Sequence, residues 1–133
     1  AQLKNTHTLK SIISQINLIQ PGETVGYNRA FVASKPTQSA TIPIGHADGI
    51  SRKLGNKNGV VFINNQPAPI IGNVCMDMIM VDLTDSKNIE EDDEVELMGN
   101  NVSITHLAEI SNTIPYEILT TISSRVQRIY WED

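Results

Sequence analysis

The chain has 133 residues, of which 40% are hydrophobic and 19% are charged, and its formal net charge is −5 at pH 7. This length and composition are typical of one globular domain with its own core, and they exclude an intrinsically disordered chain. The acidic balance and the aromatic content of 5% exclude a sequence-independent nucleic-acid binder, which needs a basic face or a base-stacking surface.

The first predicted element is a strand that follows a polar lead-in over residues 1–8. Within residues 9–19 the apolar positions suit either a helical period or one face of a strand that carries Ile12 and Ile16. The isoleucine content and the Pro-Gly pair that follows favour a strand ending in a turn. No stretch resembles a signal peptide or is long enough to span a membrane, so we expect no membrane segment.

Two further short strands are predicted over residues 25–33 and 39–44. Tyr27 stands beside Gly26 in the first of them. The glycine leaves the backbone free to turn and exposes the phenol. Tyr27 is therefore either a functional group or a strand-edge tyrosine whose hydroxyl lies in water.

A polar cluster follows the second of these strands. His46 and Asp48 lie between two glycines, and Arg52 comes shortly after them. An apolar run, a glycine and a polar cluster are typical of a strand that presents side chains at its open end, and also of an ordinary polar loop. A Ser-His-Asp triad drawn from this segment is excluded, because the sequence lacks a nucleophile elbow.

The central part of the chain predicts a hairpin and then a strand with two faces. Residues 59–63 and 68–71 are apolar and flank a turn. Residues 75–83 alternate in character, which is the period of a strand. Met76 and Asp77 open this run: a methionine is most often core filler, but a turn here would offer a backbone amide to an anion.

The sequence gives little support for metal or redox chemistry. Cys75 is the only cysteine, which excludes an internal disulfide and a cysteine-based zinc site and fits a reducing cytoplasm. The three histidines are scattered and form no zinc motif. The acidic run over residues 90–94 lacks ordered ligand spacing and predicts a solvated loop before a strand at 95–98. We expect no metal site.

Helices are predicted only near the C-terminus. Thr105 is the expected cap of a helix over residues 106–110, and Pro115 suits the first turn of a helix over residues 116–122. At the start of the second helix, the phenol of Tyr116 and the free backbone amides suit a phosphate contact. A last strand is expected beyond it. Many short strands with small terminal helices predict a mainly β barrel or sandwich.

Together, these segments resemble the C-terminal domain of the alanine racemase family. Each motif is modest alone, but their order and spacing are specific over about residues 9–131. The matching segments are Gln20-Pro21-Gly22-Glu23-Thr24-Val25-Gly26-Tyr27, Ala40-Thr41-Ile42-Pro43-Ile44-Gly45-His46-Ala47-Asp48-Gly49, Ala68-Pro69-Ile70-Ile71-Gly72-Asn73-Val74-Cys75-Met76-Asp77, Met80-Val81-Asp82-Leu83-Thr84, Asp93-Glu94-Val95, Ile114-Pro115-Tyr116-Glu117-Ile118-Leu119, Ile122-Ser123 and Arg125-Val126-Gln127-Arg128-Ile129-Tyr130.

The resemblance implies a closed Greek-key β-barrel with short helices near the C-terminus, which we expect over residues 9–133. It also implies a pyridoxal-phosphate-dependent isomerase that interconverts L- and D-alanine for peptidoglycan synthesis. In this family an N-terminal (β/α)8 barrel holds the cofactor on a lysine. Each site of the head-to-tail homodimer combines one subunit's barrel with the other subunit's C-terminal domain. We expect this chain to lack such a barrel and to be inactive by itself.

The resemblance also implies roles for individual residues. Tyr27 corresponds to the base that acts on the face of the substrate Cα opposite the lysine. The backbone amide of Met76 corresponds to the group that binds the substrate carboxylate, and Asp77 lines the same mouth. Tyr116 corresponds to the tyrosine that contacts the cofactor phosphate.

Two positions depart from the family pattern. His46 stands where the family usually has a tyrosine that narrows the substrate channel, and a smaller, chargeable imidazole implies a wider or pH-sensitive gate. Asn73 stands where many relatives have an arginine, and loss of that charge weakens the steering of an anionic substrate. Arg52 remains at another position that lines the corridor.

Two other functions stay open at this point. One is a non-catalytic β-barrel that docks a neighbouring domain in a fusion of racemase and cell-wall ligase. The other is a related racemase with another substrate, since His46 changes the gate. The presence of Tyr27, Met76 and Tyr116 together favours catalysis.

Overall fold

The computed structural model describes residues 8–25 and 31–122. These residues form nine strands and two α-helices. The elements are β1 (Leu9–Ile12), β2 (Gln15–Ile19), β3 (Thr24–Val25), β4 (Phe31–Val32), β5 (Thr37–Ile42), β6 (Val60–Ile63), β7 (Gln66–Ile71), β8 (Ile79–Asp82), β9 (Glu94–Met98), α1 (Ile104–Ile110) and α2 (Pro115–Thr121).

Seven strands form one antiparallel sheet in the order β1-β9-β6-β7-β8-β5-β2. Its two edge strands, β1 and β2, are consecutive in the chain. At the bend between them Ile13 donates to the Asp93 carbonyl at 3.0 Å and Ser14 donates to the Thr41 carbonyl at 2.9 Å. One bent segment therefore continues both edge strands, bonding beside β9 on one side and to β5 on the other, and the sheet curls into a barrel. Because β9 returns beside β6 after the run β6-β7-β8, the topology contains a Greek key. The predicted mainly β, Greek-key barrel with late helices is confirmed.

Branched aliphatic side chains fill the barrel interior and alternate with outward-facing residues. On β6, Val61 and Ile63 are buried, whereas Phe62 between them is only partly covered. Complete burial of such side chains stabilises the fold by about 1.5–3 kcal/mol each. Residue Ile13 is fully buried at the bend of the first segment, while Ile12 is 46% exposed. The face that carries Ile12 is therefore the outer one.

The ribbon of β3 and β4 corrects one predicted strand. Val25 pairs with Phe31 across an antiparallel ladder, so a single strand over residues 25–33 is wrong. Phe31 packs with a small cluster that includes Ala33 and Ile71. This cluster attaches the ribbon to the end of β7.

The predicted central hairpin is confirmed with a shorter turn. Asn64 and Asn65 have φ of 50° and 62°, and Ile63 pairs with Gln66. Two positive φ values match the twist of the flanking strands, and asparagine adopts them at low cost.

The strand predicted over residues 75–83 is wrong in its first half. Here the Cys75 amide donates to the Met78 carbonyl at 3.1 Å and closes a turn, so β8 begins at Ile79. The alternation of residue types continues through the turn, but the strand pairing of β8 begins only at its end.

The two helices close one end of the barrel. Ser103 caps α1 by accepting from the His106 amide at 3.1 Å, so the predicted cap at Thr105 is wrong. Pro115 occupies the first turn of α2 as predicted. Ile118 and Ile122 line an apolar cavity of about 30 Å³ beneath α2. The strand expected beyond residue 122 lies outside the described residues.

The two ends of the barrel carry different loops. We call the end with residues 43–59, the loop over residues 72–78 and both helices the Met76 end. We call the end with the Asn64-Asn65 turn and the loop over residues 83–93 the Asn64 end. Within the described ranges, no helix is long and apolar enough to cross a membrane.

Candidate functional site

Two loops meet at the Met76 end and are joined through their backbones. The amide of His46 donates to the Cys75 carbonyl at 2.9 Å, and the amide of Ala47 donates to the Met76 carbonyl at 2.9 Å. These bonds involve no side chain. The predicted gate residue and the predicted carboxylate-binding residue therefore belong to one hydrogen-bonded unit.

Gly45 makes this close approach possible. A Cβ at this position would lie 2.4 Å from the Cys75 carbonyl oxygen and 2.7 Å from both the Met76 carbonyl oxygen and the Met78 nitrogen. The backbone of Gly45 is extended, with φ of −149°, so any residue could adopt its conformation. The requirement for glycine here is one of space.

Asp48 holds the first loop in shape. It is 6% exposed, and its Oδ2 accepts from the Gly45 amide at 3.0 Å. In return the Asp48 amide donates to the Gly45 carbonyl at 3.0 Å. The two residues thus enclose a tight turn that presents the next two amides, those of His46 and Ala47, to the second loop.

The backbone amide of Met76 lies at the tip of the second loop. Among residues 8–25 and 31–122, no group accepts a hydrogen bond from this N–H. The Met76 side chain is 53% exposed, and Asp77 beside it is exposed as well. A rigidly held N–H of this kind can bind an anionic oxygen without first breaking a bond inside the protein.

The His46 side chain is exposed on the loop whose backbone is bonded to the Met76 loop. Its Nδ1 lies 3.2 Å from the Ile50 carbonyl oxygen. Because a carbonyl oxygen can only accept, Nδ1 carries the hydrogen in this arrangement. The outward-facing Nε2 is then an acceptor in the neutral ring and a donor in the charged ring.

A second contact joins the same two loops further along. The side-chain amide of Asn56 donates to Oδ1 of Asn73 at 3.0 Å, and the Asn56 backbone amide donates to the Gly72 carbonyl at 2.8 Å. Asn56 has φ of 55°, a conformation that asparagine tolerates better than most residues. Asn56 was not predicted as a site residue, because its Gly-Asn-Lys-Asn context signals only a turn. Arg52 is exposed on the short 3₁₀ turn that precedes it.

Tyr27 lies in residues 26–30, outside the described residues. The described residues around it place the neighbouring ribbon at the Met76 end. The Nζ of Lys57 lies 5.7 Å from the centre of the Phe31 ring, and the Lys57 amide donates to the Ile70 carbonyl. The strand that follows Tyr27 is therefore anchored next to the loop that carries Met76.

Tyr116 is 71% exposed on the first turn of α2. The inner face of this helix shares its cavity with Ile50 and Leu54, which belong to the segment bonded to the Met76 loop. Tyr116 and Met76 thus lie at the same end of the barrel, and no described hydrogen bond links them. In the described part of the chain, no group of three His, Cys, Asp or Glu side chains is placed to hold a metal ion.

Comparisons with known proteins agree with one another. A family model described as "Alanine racemase, C-terminal domain" matches residues 6–130. The alanine racemase of Rickettsia bellii is 42% identical over 130 residues, which cover 96% of this chain and 32% of the relative. That of Alteromonas mediterranea is 46% identical over 122 residues, 92% of this chain and 34% of the relative.

A solved structure gives the same result for the fold. The crystal structure of alanine racemase from Bartonella henselae with covalently bound pyridoxal phosphate superposes with a TM-score of 0.89 at 40% identity, over 93% of this chain and 34% of that chain. Alanine racemase from Clostridium difficile 630 also superposes with a TM-score of 0.89, at 38% identity over 95% of this chain and 33% of that chain. The chain spans about a third of the length of these relatives.

Proposed function

The chain belongs to the alanine racemase family as its C-terminal domain, and from this premise we propose that it forms one wall of an active site that interconverts L- and D-alanine. One observation carries the proposal: the Met76 amide is held by a neighbouring loop and has no acceptor of its own among the described residues. The substrate carboxylate is the acceptor that we assign to it. A hydrogen bond to a charged group is worth about 1.5–3 kcal/mol.

Racemisation removes a proton from one face of the substrate Cα and returns one to the other face. We assign the face towards this domain to the Tyr27 phenol. The opposite face belongs to a lysine on the family's N-terminal barrel. A free phenol has a pKa near ~10, so Tyr27 needs a cationic, hydrogen-bonded setting to act at neutral pH.

The cofactor that this family implies is pyridoxal phosphate, which when bound supplies a sink for the electron pair left at Cα. Tyr116 is the group of this chain that fits it, because the phenol is 71% exposed and can donate to a phosphate oxygen. We propose that Tyr116 serves the site of its own subunit while Tyr27 and Met76 serve the partner's site. The cofactor is then held mainly by the barrel, in a homodimer.

The remaining site residues shape the approach to the substrate. We assign the exposed His46 to the gate, Asp77 to the mouth of the site, and Arg52 to the corridor, where it supplies a positive charge. Because His46 is smaller than the family's tyrosine, a racemase that accepts a bulkier amino acid is the second candidate. The relatives are named alanine racemases, which gives no support to a non-catalytic docking module.

Three further parts of the proposal concern the whole protein. We assign residues 1–8 to a linker and residues 9–133 to this domain. We place the enzyme in the cytoplasm, where the half-buried thiol of Cys75 stays reduced. Its product, D-alanine, serves peptidoglycan synthesis.

The decisive experiment uses the protein expressed from the complete open reading frame that contains this chain. Exchange of the Cα proton with deuterated solvent is followed separately from L- and from D-alanine, for the parent and for Tyr27→Phe. We expect exchange from one enantiomer to fall by about 10²–10⁴-fold, the usual worth of a positioned base, while exchange from the other survives.

Two outcomes would contradict this proposal. An equal loss of Cα-proton exchange from both enantiomers would show that Tyr27 is not the base for one face of the substrate. Cofactor-dependent turnover by residues 1–133 alone would show that no barrel is needed. As a control, Tyr116→Phe should weaken cofactor binding and affect both enantiomers alike.

A further inference from the structure

The proposed function leaves one buried charged residue without a role. Asp48 is 6% exposed, two residues after His46, and its Oδ2 accepts from the Gly45 amide at 3.0 Å. Neither proton transfer nor substrate contact requires this carboxylate. Its bonds lead instead to the peptide that contains the Met76 amide.

A single peptide plane connects the turn that Asp48 closes to the Met76 amide. The Cys75 carbonyl and the Met76 N–H belong to the same peptide group, which is planar and trans. In a trans peptide the C=O and the N–H point in opposite directions. The bond from the His46 amide to the Cys75 carbonyl oxygen, 2.9 Å long, therefore also fixes the direction of the Met76 N–H.

The same bond strengthens the Met76 amide as a donor. A carbonyl that accepts a hydrogen bond polarises its peptide group, and chains of such bonds reinforce one another. The bond from the Ala47 amide to the Met76 carbonyl fixes the next peptide plane in turn. Both donors project from the turn that Asp48 closes onto Gly45.

We propose that Asp48 is a positioning residue that aims the Met76 amide at the substrate carboxylate. This inference rests on the proposed function. Without the Oδ2 acceptor, the Gly45 amide has to find another partner, and the turn over residues 45–48 relaxes. The His46 and Ala47 amides then leave their carbonyls, and the Met76 N–H loses its direction.

The chain contains a matched control at the opposite end of the barrel. Asp93 also accepts, through Oδ2, from the amide three residues earlier, that of Glu90, at 2.9 Å. The bond has the same form and the same sequence spacing as that of Asp48. It lies at the Asn64 end, away from Met76.

The test compares Asp48→Ala and Asp48→Asn with Asp93→Ala and Asp93→Asn in the protein from the complete open reading frame. We expect Asp48→Ala to raise the KM for alanine and the inhibition constant of propionate about tenfold. The kcat should stay within about threefold of the parent, because the ground state and the transition state share the carboxylate contact. Asp48→Asn keeps an acceptor oxygen and should restore both values to within about threefold of the parent. Both Asp93 variants should leave both values unchanged.

Two further readouts separate positioning from a general loss of structure. Affinity for pyridoxal phosphate should not change in the Asp48 variants, because that contact is made elsewhere. Hydrogen exchange of the peptide that contains His46 and Ala47 should accelerate in Asp48→Ala and not in Asp93→Ala. Should Asp48→Ala fail to fold, Asp48→Ser takes its place, with the same direction expected because a hydroxyl is the weaker acceptor.

The outcomes distinguish a failure of the positioning role of Asp48 from a failure of the proposed racemase function. Racemisation with an unchanged KM in Asp48→Ala overturns the positioning role and leaves the proposed function standing. Equal changes in the Asp48 and Asp93 variants also overturn it, since they would reflect stability alone. If the parent protein does not racemise alanine, the proposed function is wrong. The positioning role of Asp48 is then also wrong, even if hydrogen exchange of the His46–Ala47 peptide accelerates as expected in Asp48→Ala.

Discussion

The two ends of this barrel hold their loops in place by different means. At the Asn64 end, side chains make the connections: the Asn64 side-chain amide donates to Asp93 Oδ2 at 3.1 Å, and the Gln66 side chain both donates to the Lys87 carbonyl and accepts from the Lys87 amide at 2.8 Å. At the Met76 end, the peptides on both sides of Met76 are held by backbone amides of the other loop, and the side-chain bond from Asn56 to Asn73 lies further along.

This difference fits a structural loop at the Asn64 end and, at the Met76 end, the loop that we propose binds the substrate. Where side chains hold a loop, they are committed to the protein. Where the backbone holds it, side chains can face solvent: Met76 and Met78 are 53% and 42% exposed. Both kinds of hydrogen bond stabilise a loop, but only the backbone arrangement leaves the side chains available to a ligand.

The largest effect that this comparison predicts comes from Gly45→Ala. The new methyl group would collide with three backbone atoms of the Met76 loop, which cannot rotate away. We expect the loss of about 1–3 kcal/mol of stability that overpacking causes. Racemase kcat/KM should fall by about 10²-fold, because a displacement near 1 Å is enough for that. Thermal unfolding and steady-state kinetics measure the two effects.

Gly22→Ala is the control for this substitution. No atom lies within 4 Å of a Cβ at Gly22, but its φ is +89°, so alanine there is strained by backbone conformation alone. It should lose about 1–2 kcal/mol of stability without a change in kcat/KM. A similar fall in kcat/KM for both variants would show that Gly45 does not act through the Met76 loop.

A smaller effect is expected from a matched pair of asparagines, one at each end. Asn56 and Asn64 have φ of 55° and 50°, and each donates a side-chain hydrogen bond, to Asn73 and to Asp93 respectively. Replacing either by alanine should lower the free energy of unfolding by about 1–3 kcal/mol, from lost hydrogen bonding and from backbone strain. Only Asn56→Ala should also raise the KM for alanine, because Asn73 lies in the loop that carries Met76. An equal KM for the two variants would show that the Met76 end is no more important for substrate binding than the Asn64 end.

The smallest effect concerns the cap of α1. Ser103→Ala removes the acceptor of the His106 amide and should cost about 1 kcal/mol, as the loss of an N-cap usually does. Thr105→Ala, inside the helix, should be neutral within about 0.5 kcal/mol, since surface changes away from special features usually are. Chemical denaturation of both variants decides this. A greater loss of unfolding free energy for Thr105→Ala would show that Thr105, as predicted from sequence, is the cap of α1.

The sequence predicted most of the strands and a cluster of site residues whose loops the structure brings together. The apolar runs on both sides of Asn64-Asn65 predicted a hairpin, because two asparagines supply the positive φ values that its turn needs. Pro115 marked the start of a helix, because its fixed φ and missing N–H suit the first turn. His46 and Met76 were selected by resemblance, and their loops are bonded. The functional roles of all the predicted site residues stay predictions: Tyr27, His46, Arg52, Met76, Asp77 and Tyr116.

Other features depended on contacts that no local pattern reveals. Alternation through residues 75–78 looks the same in a strand and in a turn, and hydrogen bonds from His46 and Ala47 occupy the carbonyls of Cys75 and Met76 that a ladder would need. Ser103 and Thr105 are both good caps, two residues apart, and only the helix geometry selects one.

By itself, then, the sequence determined the periods of the strands, the turn residues and the family to which the chain belongs, since these depend on neighbouring residues or on motif order. Only the tertiary structure decided that β1 and β2 close the barrel through one bend, that Asp48 is buried, and that the peptide joining Cys75 to Met76 is fixed from across the site. The barrel closure and the fixed peptide depend on hydrogen bonds between segments far apart in the chain, and the burial of Asp48 depends on the packing around its turn. Such bonds form because a buried or tightly held backbone group needs a partner, whichever segment the fold brings to it.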